Sequence, residues 1–500
     1  MGSRSPSAAG FRAHPAGLRT LFFTAMWERF SYYGMRAFLV LFMVAGIERG
    51  GLGLDDKSAT AIYGLYTAAV YVLGIPGGWI ADRLLGAQRA IWYGGILIML
   101  GHFTLAVPSV YAFFLGLLLV VLGTGLLKPN MSALVGELYR TEDERRDAGF
   151  TLYYMGINLG GFLGPLVCSA LAENETLGWH WGFAAAGVGM AVGLVYFRLT
   201  RPRLGEAGLR ASLRPEIATE RAAIRTGWSR VWIGLGLLTL VTAALMSGVV
   251  PVDAVKIAAN STAAIVVFAA LFLAYLLRFG GLDAGERKQV LAIFTLSLAA
   301  SLFWAGFEQA GSTLNLFAER HTDRMLGSFE IPTGWFQSLN SVFIIVFAPV
   351  FAALWIHLAH RGSEPGTPIK FAFGLFILAA GFAVMIPAAS MVSGGGKALP
   401  TWLITTYFLH TVAELALSPV GLSVTTKLAP RRYAGQMMGI WFLTLALGNL
   451  IAGLAAGRFN PEALDEMPML YGQIVLTTAG TGVLLLMLRG PLRRLMGGVH

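Results

Sequence analysis

Six ionisable residues lie inside stretches of sequence that are otherwise strongly apolar. They are three carboxylates and three cations, at Glu28, Arg29, Arg36, Lys128, Glu308 and Glu414. A charge near the centre of a membrane-spanning helix costs roughly 2.5–3.5 kcal/mol on insertion scales, so such residues need a compensating role. Static ion pairs are one interpretation, but buried pairs add little net stability compared with apolar packing. Functional use of the charges is therefore the favoured interpretation.

Aromatic and amide side chains recur close to these charges. The set is Tyr32, Tyr33, Tyr71, Tyr153, Tyr154, Asn158, Trp304, Asn340 and Trp441. A cation can bind a carboxylate, an anion can bind an ammonium group, and aromatic rings can pack against apolar side chains. The combination predicts a polar cavity within the membrane that holds a small zwitterion.

The composition is that of a membrane protein. The 500 residues are 56% hydrophobic and only 13% charged, whereas soluble domains are about a quarter charged. A single cysteine, Cys168, excludes an intramolecular disulfide framework. The sequence has no nucleophile elbow, HExxH motif or P-loop, and its histidines lack metal-ligand spacing. No enzyme, ATP-driven pump, metal site or cofactor is therefore expected.

Apolar stretches of about 20 residues, the length that spans a bilayer, predict an all-α polytopic protein of fourteen transmembrane helices. The first six spans are 18–46, 58–82, 88–107, 110–139, 147–172 and 179–198, and the last six are 287–317, 335–358, 369–391, 401–428, 435–457 and 469–489. Two further spans, 231–250 and 262–279, lie between them. The predicted units are an N-terminal tail 1–17, a six-helix bundle 18–198, a polar linker 199–230, two additional helices within 231–286, a six-helix bundle 287–490 and a C-terminal tail 491–500.

The distribution of lysine and arginine predicts the orientation. With the N-terminus inside, 27 of these residues fall on the cytoplasmic side and 7 on the other. Cytoplasmic loops carry the excess of positive charge in membrane proteins. Both termini are therefore expected in the cytoplasm, with the chain in the inner cell membrane. The net charge of +10 is explained by this bias rather than by nucleic-acid binding.

The loop between the second and third spans resembles the signature of the major facilitator superfamily. It reads Gly78-Trp-Ile-Ala-Asp82-Arg83-Leu-Leu-Gly86-Ala-Gln-Arg89. Members of that superfamily have two six-helix bundles that rock around a central binding site. The resemblance implies the same major facilitator fold here, with two extra helices between the bundles.

Seven further segments resemble the proton-dependent oligopeptide transporter family within that superfamily, in its bacterial form. The segments are Trp27–Arg36, close to the family's ExxERFxYYG motif, then Gly125–Asn130, Phe150–Gly160, Phe303–Gln309, Trp335–Asn340, Glu414–Ser423 and Gly439–Leu443. The joint occurrence of these segments in both halves of the chain makes the resemblance to this family specific. The resemblance implies a secondary active transporter that imports di- and tripeptides by proton symport.

The resemblance also implies roles for particular residues. Arg29 and Lys128 would bind the peptide carboxylate, and Glu414, Asn158 and Asn340 would bind the amino terminus. The remaining expected site residues are Tyr32, Tyr33, Tyr71 and Tyr154 along the wall, Ser418 beside Glu414, and Trp304 and Trp441 at side-chain pockets.

The resemblance also implies ion pairs that gate the site from either side. Arg36, which also belongs to the expected binding site, would pair with Glu308 to close the outer gate. Lys128 would pair with Glu414 to close the inner gate. Glu28 and these gate residues would respond to the proton, which is the only coupling ion expected. The transporter is expected to function as a monomer surrounded by membrane lipid.

One position departs from the family motif. The glutamate expected three residues before Glu28 is replaced by Ala25. In the family that carboxylate is tied to proton coupling, so the coupling mechanism is open at this point. Three alternatives also remain: a transporter of nitrate or another small anion, an uncoupled peptide facilitator, and a peptide sensor that does not transport.

Overall fold

The computed structural model describes residues 10–140, 143, 145–209, 218–247, 253–459 and 463–497. Residues 1–9, 210–217 and 498–500 of the predicted tails and linker lie outside the described residues, as do residues 248–250 of one predicted span. The first seven helices are α1 Ala16–Val44, α2 Asp56–Val72, α3 Gly74–Ile80, α4 Ala87–Leu105, α5 Val110–Glu137, α6 Arg146–Ala172 and α7 Trp179–Thr200. The next two are α8 Ala218–Met246 and α9 Ala254–Phe279.

The remaining helices follow in the second half of the chain. They are α10 Ala284–Phe307, α11 Thr313–His321, α12 Trp335–His360, α13 Thr367–Ser393, α14 Pro400–Leu428, α15 Ala434–Ala456, α16 Met467–Met487 and α17 Arg489–Leu495. A short antiparallel pair, β1 Met325–Leu326 and β2 Phe329–Glu330, lies between α11 and α12. The helical fold predicted from the sequence is confirmed.

Twelve helical segments among the described residues are long and apolar enough to cross a membrane. The other two predicted spans correspond to α1 and α4, which are helices at the predicted positions. Helix α1 contains four charged residues, Arg19, Glu28, Arg29 and Arg36. The total of fourteen spans stays a prediction for these two helices.

The helix predicted at 287–317 differs from the structure in its middle. Helix α10 ends at Phe307, a 3-10 turn covers Glu308–Gly311, and α11 then runs to His321. Gly306 lies two residues before this turn and Gly311 is its last residue, and glycine lowers helix stability by about 1 kcal/mol relative to alanine. The break places Glu308 at a helix terminus and extends the segment by four residues beyond the predicted end.

Helix α8 begins at Ala218, inside the stretch assigned from the sequence to the linker. Its first turns contain good helix formers, although this part of the sequence is polar. These residues are Ala218, Glu220, Ala222 and Ala223. Helix α9 begins at Ala254, where the carboxylate of Asp253 accepts a hydrogen bond from the backbone N–H of Lys256. This N-cap explains why the helix starts before the apolar run at 262.

The chain forms two compact units that each combine distant parts of the sequence. The first contains Met1–Arg36 and Leu73–Val252, and the second contains Ala37–Val72 and Asp253–His500. Helix α1 therefore contributes its first part to one unit and its last turns to the other.

In the first unit, α6 packs closely on α1 through glycines one turn apart. A Cβ atom added at Gly160 or Gly164 would collide with the carbonyl oxygen of Met26 or Phe30, respectively. Only glycine permits this approach of the two backbones. The contact fixes α1 along the stretch that carries Glu28 and Arg29.

In the second unit, α2 packs against α15 with equally little space between the backbones. A Cβ atom at Gly453 would lie 2.5 Å from the carbonyl oxygen of Thr60 and 3.1 Å from Cα of Gly64. Helix α9 covers both helices, with Ala258 buried beside Ala61 and Ala446. Segment 37–72 is thus an integral part of the second unit.

We expect Gly453→Val to lower the free energy of unfolding by about 1–3 kcal/mol, because the added methyl groups overpack a rigid backbone contact. The measurement is thermal unfolding in detergent, followed by intrinsic fluorescence. Gly480→Val is the matched control, since nothing lies within 4 Å of a Cβ atom there. Equal unfolding temperatures for the two variants would show that the α2–α15 contact is not tight.

Candidate functional site

In the first unit, α1 carries a buried ion pair surrounded by aromatic rings. Nε of Arg29 lies 2.9 Å from Oε2 of Glu28, and both side chains are almost completely buried. The Arg29 guanidinium lies 5.6 Å from the ring centroid of Tyr32 and 5.9 Å from that of Tyr33. Arg36 lies 6.0 Å from the Tyr33 centroid. The carboxylate of Glu28 and the faces of the tyrosine rings together offset the free-energy cost of burying these cations.

One oxygen atom of the Glu28 carboxylate can still accept a hydrogen bond. Oε1 of Glu28 is buried and has no hydrogen-bond partner among the residues that the structure describes. A buried carboxylate oxygen without a partner is costly, and such exceptions point to function or to an exchangeable ligand. Glu28 can therefore accept a further hydrogen bond or a proton.

Helices α5 and α6 supply the other predicted residues of the first unit. Lys128 is half-buried on α5 and precedes Pro129, which lies inside the helix and lacks a backbone N–H. On α6, the amide of Asn158 donates a 2.9 Å hydrogen bond to the carbonyl of Tyr154 one turn earlier. The side chain of Tyr154 is 55% exposed.

In the second unit, the structure brings together two residues predicted to act on the same group. Nδ2 of Asn340, on α12, donates hydrogen bonds to Oε2 of Glu414 at 3.1 Å and to Oγ1 of Thr411 at 3.0 Å. These bonds orient the α14 carboxylate from a neighbouring helix. Glu308 belongs to the same unit and is buried in the turn that follows α10.

The two predicted tryptophans are held by glycines on the facing helices. A Cβ atom at Gly448 would collide with Trp304, and one at Gly421 would collide with the ring of Trp441. Both rings are buried, and Nε1 of Trp304 has no hydrogen-bond partner in the described part of the chain. The tryptophans are therefore positioned by backbone packing.

Tyr71 and Ser418 complete the predicted set in the second unit. Tyr71 is half-buried near the end of α2, where it packs against the cluster that includes Ala258. Ser418 is half-buried on α14, one turn after Glu414.

The predicted site residues divide between the two units. Glu28, Arg29, Tyr32, Tyr33, Arg36, Lys128, Tyr154 and Asn158 belong to the first, and Tyr71, Trp304, Glu308, Asn340, Glu414, Ser418 and Trp441 belong to the second. Each predicted gate pair takes one residue from each unit. Both gate pairs, and the action of Asn158 with Glu414, stay predictions.

An ion pair that was not expected from the sequence joins the start of α2 to the end of α11. Nη1 and Nη2 of Arg320 lie 2.6 Å and 2.9 Å from the two carboxylate oxygens of Asp56. From the sequence, Arg320 is one of the seven cations expected on the outer side. The sequence carries no local signal for the pair, because the pair depends on the turn at Glu308–Gly311, after which α11 carries Arg320 close to its end. Asp55, the residue before Asp56, accepts hydrogen bonds from Ser58, and these bonds hold the pKa of Asp55 below its usual value.

We expect Asp56→Arg and Arg320→Asp each to lower the free energy of unfolding by about 1.5–3 kcal/mol, the scale of charged hydrogen bonds. Combining the two changes should restore most of the loss, because the pair re-forms with reversed charges. The measurement is a double-mutant cycle on thermal unfolding in detergent. A double variant whose loss equals the sum of the single losses would contradict the pairing.

Apolar spans with buried charges and amides in their interiors define a multi-pass membrane protein of the transporter class. The POT family model matches residues 88–467, and the chain belongs to this family. The family expected from the sequence is therefore confirmed.

Related proteins match along their whole lengths. The chain is 42% identical to the peptide transporter YePEPT of Yersinia enterocolitica, covering 100% of this chain and 98% of the relative. It is 36% identical to a di-/tripeptide transporter of Lactococcus lactis, covering 98% of each. A crystal structure of a peptide transporter POT in complex with sulfate has a TM-score of 0.88 and 42% identity over 97% of both chains. A POT family transporter in complex with a thioalcohol-conjugated peptide has a TM-score of 0.85 and 32% identity over 97% of this chain and 98% of that one.

Proposed function

We propose that the protein is a secondary active transporter that imports di- and tripeptides by proton symport and alternating access. The observation that carries the proposal is the division of opposite charges between the two units. The first unit presents buried Arg29 on α1, and the second presents Glu414 oriented by Asn340. The peptide transporters among the relatives support the same substrate class.

The proposed binding mode follows from the chemistry of a free peptide. Its carboxylate would bind Arg29, whose planar donors fit a carboxylate in a bidentate manner, together with Lys128. Its ammonium group would bind Glu414, whose Oε2 is already held by Asn340. Buried Trp304 and Trp441 would contact the side chains.

The proposed cycle exchanges ion-pair partners between the units. Arg36 with Glu308 would close the outer gate, and Lys128 with Glu414 would close the inner gate. The pair Asp56–Arg320 lies within the second unit, where it would stabilise the outer ends of α2 and α11. A carboxylate beside a cation stays ionised, and one left in an apolar span tends to take up a proton.

The proposed setting is the inner cell membrane, with both termini in the cytoplasm. The bias of lysine and arginine towards that side supports this orientation. The transporter would act as a monomer, with the proton as its coupling ion and without a cofactor or enzymatic activity.

We expect Glu414→Ala to abolish counterflow of radiolabelled dipeptide in liposomes while the protein still folds. Losing the ammonium contact and leaving a buried cation without its partner costs on the order of 3–5 kcal/mol. Glu175→Ala, which removes an exposed carboxylate, is the matched control and should retain counterflow. Normal counterflow in Glu414→Ala would remove this residue from the site.

The same assay separates the alternatives. Dipeptides with an acetylated amino end or an amidated carboxyl end should compete poorly, because each leaves one set of fixed charges unpaired. Nitrate counterflow without peptide counterflow would indicate an anion transporter. Peptide binding without any counterflow would indicate a sensor.

We expect wild-type protein to accumulate peptide above equilibrium under an inward proton gradient, and Glu308→Gln to show counterflow only. Glu308 is buried at a helix break, where a proton can replace a departing cation. The measurement is uptake into liposomes under an imposed pH gradient and membrane potential. Failure of the wild type to exceed equilibrium would leave an uncoupled facilitator.

Ala25→Glu tests the departure from the family motif. Ala25 is buried in an apolar cluster with Leu18 and Leu21, so a new carboxylate there needs a partner. Arg29 lies one turn later, at the i+4 spacing that suits a glutamate–arginine pair. We expect this variant to show a higher ratio of protons to peptide at the same gradient.

A further inference from the structure

A cavity of about 160 Å³ lies in the second unit, between α10, α11, α15 and α16. None of the residues predicted to bind peptide or to form the gates lines it. Helix α16 contributes Gln473, Ile474 and Thr477, of which Gln473 and Thr477 are exposed. The cavity is therefore open towards the side of the bundle that α16 presents.

The lining changes from apolar to cationic along the helix axes. Leu302, Ile451 and Ile474 form the apolar part, and Arg458 lies two residues after the end of α15. Arg458 follows Ile451 by seven residues, which corresponds to about 10 Å at the helical rise. That length is about two-thirds of a lipid acyl chain, since each leaflet fills half of a hydrocarbon core that is about 30 Å thick.

Arg458 is exposed and makes no ion pair or side-chain hydrogen bond with any residue in the described ranges. The cavity lining contains no carboxylate. A peptide would need an anionic partner for its ammonium group, which this lining lacks. A phosphodiester needs only the cation and polar donors such as the Gln473 amide.

We propose that this cavity binds one phospholipid of the outer leaflet, with its phosphate on Arg458 and an acyl chain along Leu302, Ile451 and Ile474. The outer location rests on the proposed orientation of the chain. Gln309 and Thr313 also line the cavity and flank the turn Glu308–Gly311. The bound chain therefore contacts the segment that carries Glu308.

Native mass spectrometry of the full chain in detergent, titrated with dioleoylphosphatidylglycerol, tests the proposal without peptide present. Arg458→Gln should weaken the first lipid adduct about fivefold, the scale of one cation near a membrane surface. Lys397→Gln is the matched control, because Lys397 is an exposed cation that does not line the cavity. Equal lipid affinity in these two variants would overturn the assignment.

A second pair of variants tests the acyl groove. Thr477→Trp fills the cavity from an exposed position and should also weaken the first adduct, whereas Leu476→Trp on the adjacent, 75% exposed position should not. Inorganic phosphate should fail to displace the lipid. Displacement by phosphate, or equal effects of the two tryptophans, would contradict a lipid site and leave the peptide proposal unaffected.

Discussion

The burial of ionisable side chains in apolar helices is the constraint on which the rest of this structure depends. Each unit meets it with local partners. Arg29 pairs with Glu28 and lies beside two tyrosine rings, and Glu414 is held by Asn340. Much of the charge is therefore compensated within each unit.

Glycine contacts set where these charges lie. Gly160 and Gly164 bring α6 against α1, and Gly453 brings α15 against α2. In these places the backbones touch, so a charge on one helix keeps a fixed depth relative to its neighbour. Membrane helices lack a hydrophobic driving force for association, and close packing of small residues replaces it. The polar site is thus positioned by contacts that are themselves apolar.

The sequence predicted the helices well, because apolar runs and the excess of arginine on one side are strong local signals. It also pointed to Glu28, Arg29 and Glu414, since a charge in a span is conspicuous, while their roles in a site stay predictions. It did not predict the break at Glu308 or the pair Asp56–Arg320. The break depends on two glycines whose effect is small in isolation, and the pair joins residues far apart in the chain. Neither could be read from local periodicity.

The alanine at position 25 changes how proton and peptide can be linked. Ala25 is packed among apolar side chains, and Glu28 is the carboxylate that remains on α1. Its Oε2 holds Arg29, and its Oε1 is buried without a partner in the described residues. A peptide carboxylate that binds Arg29 competes with Glu28 for the same donors. Under the proposed function, peptide binding and the coupling proton would therefore meet at the Glu28–Arg29 pair, within a single helix turn.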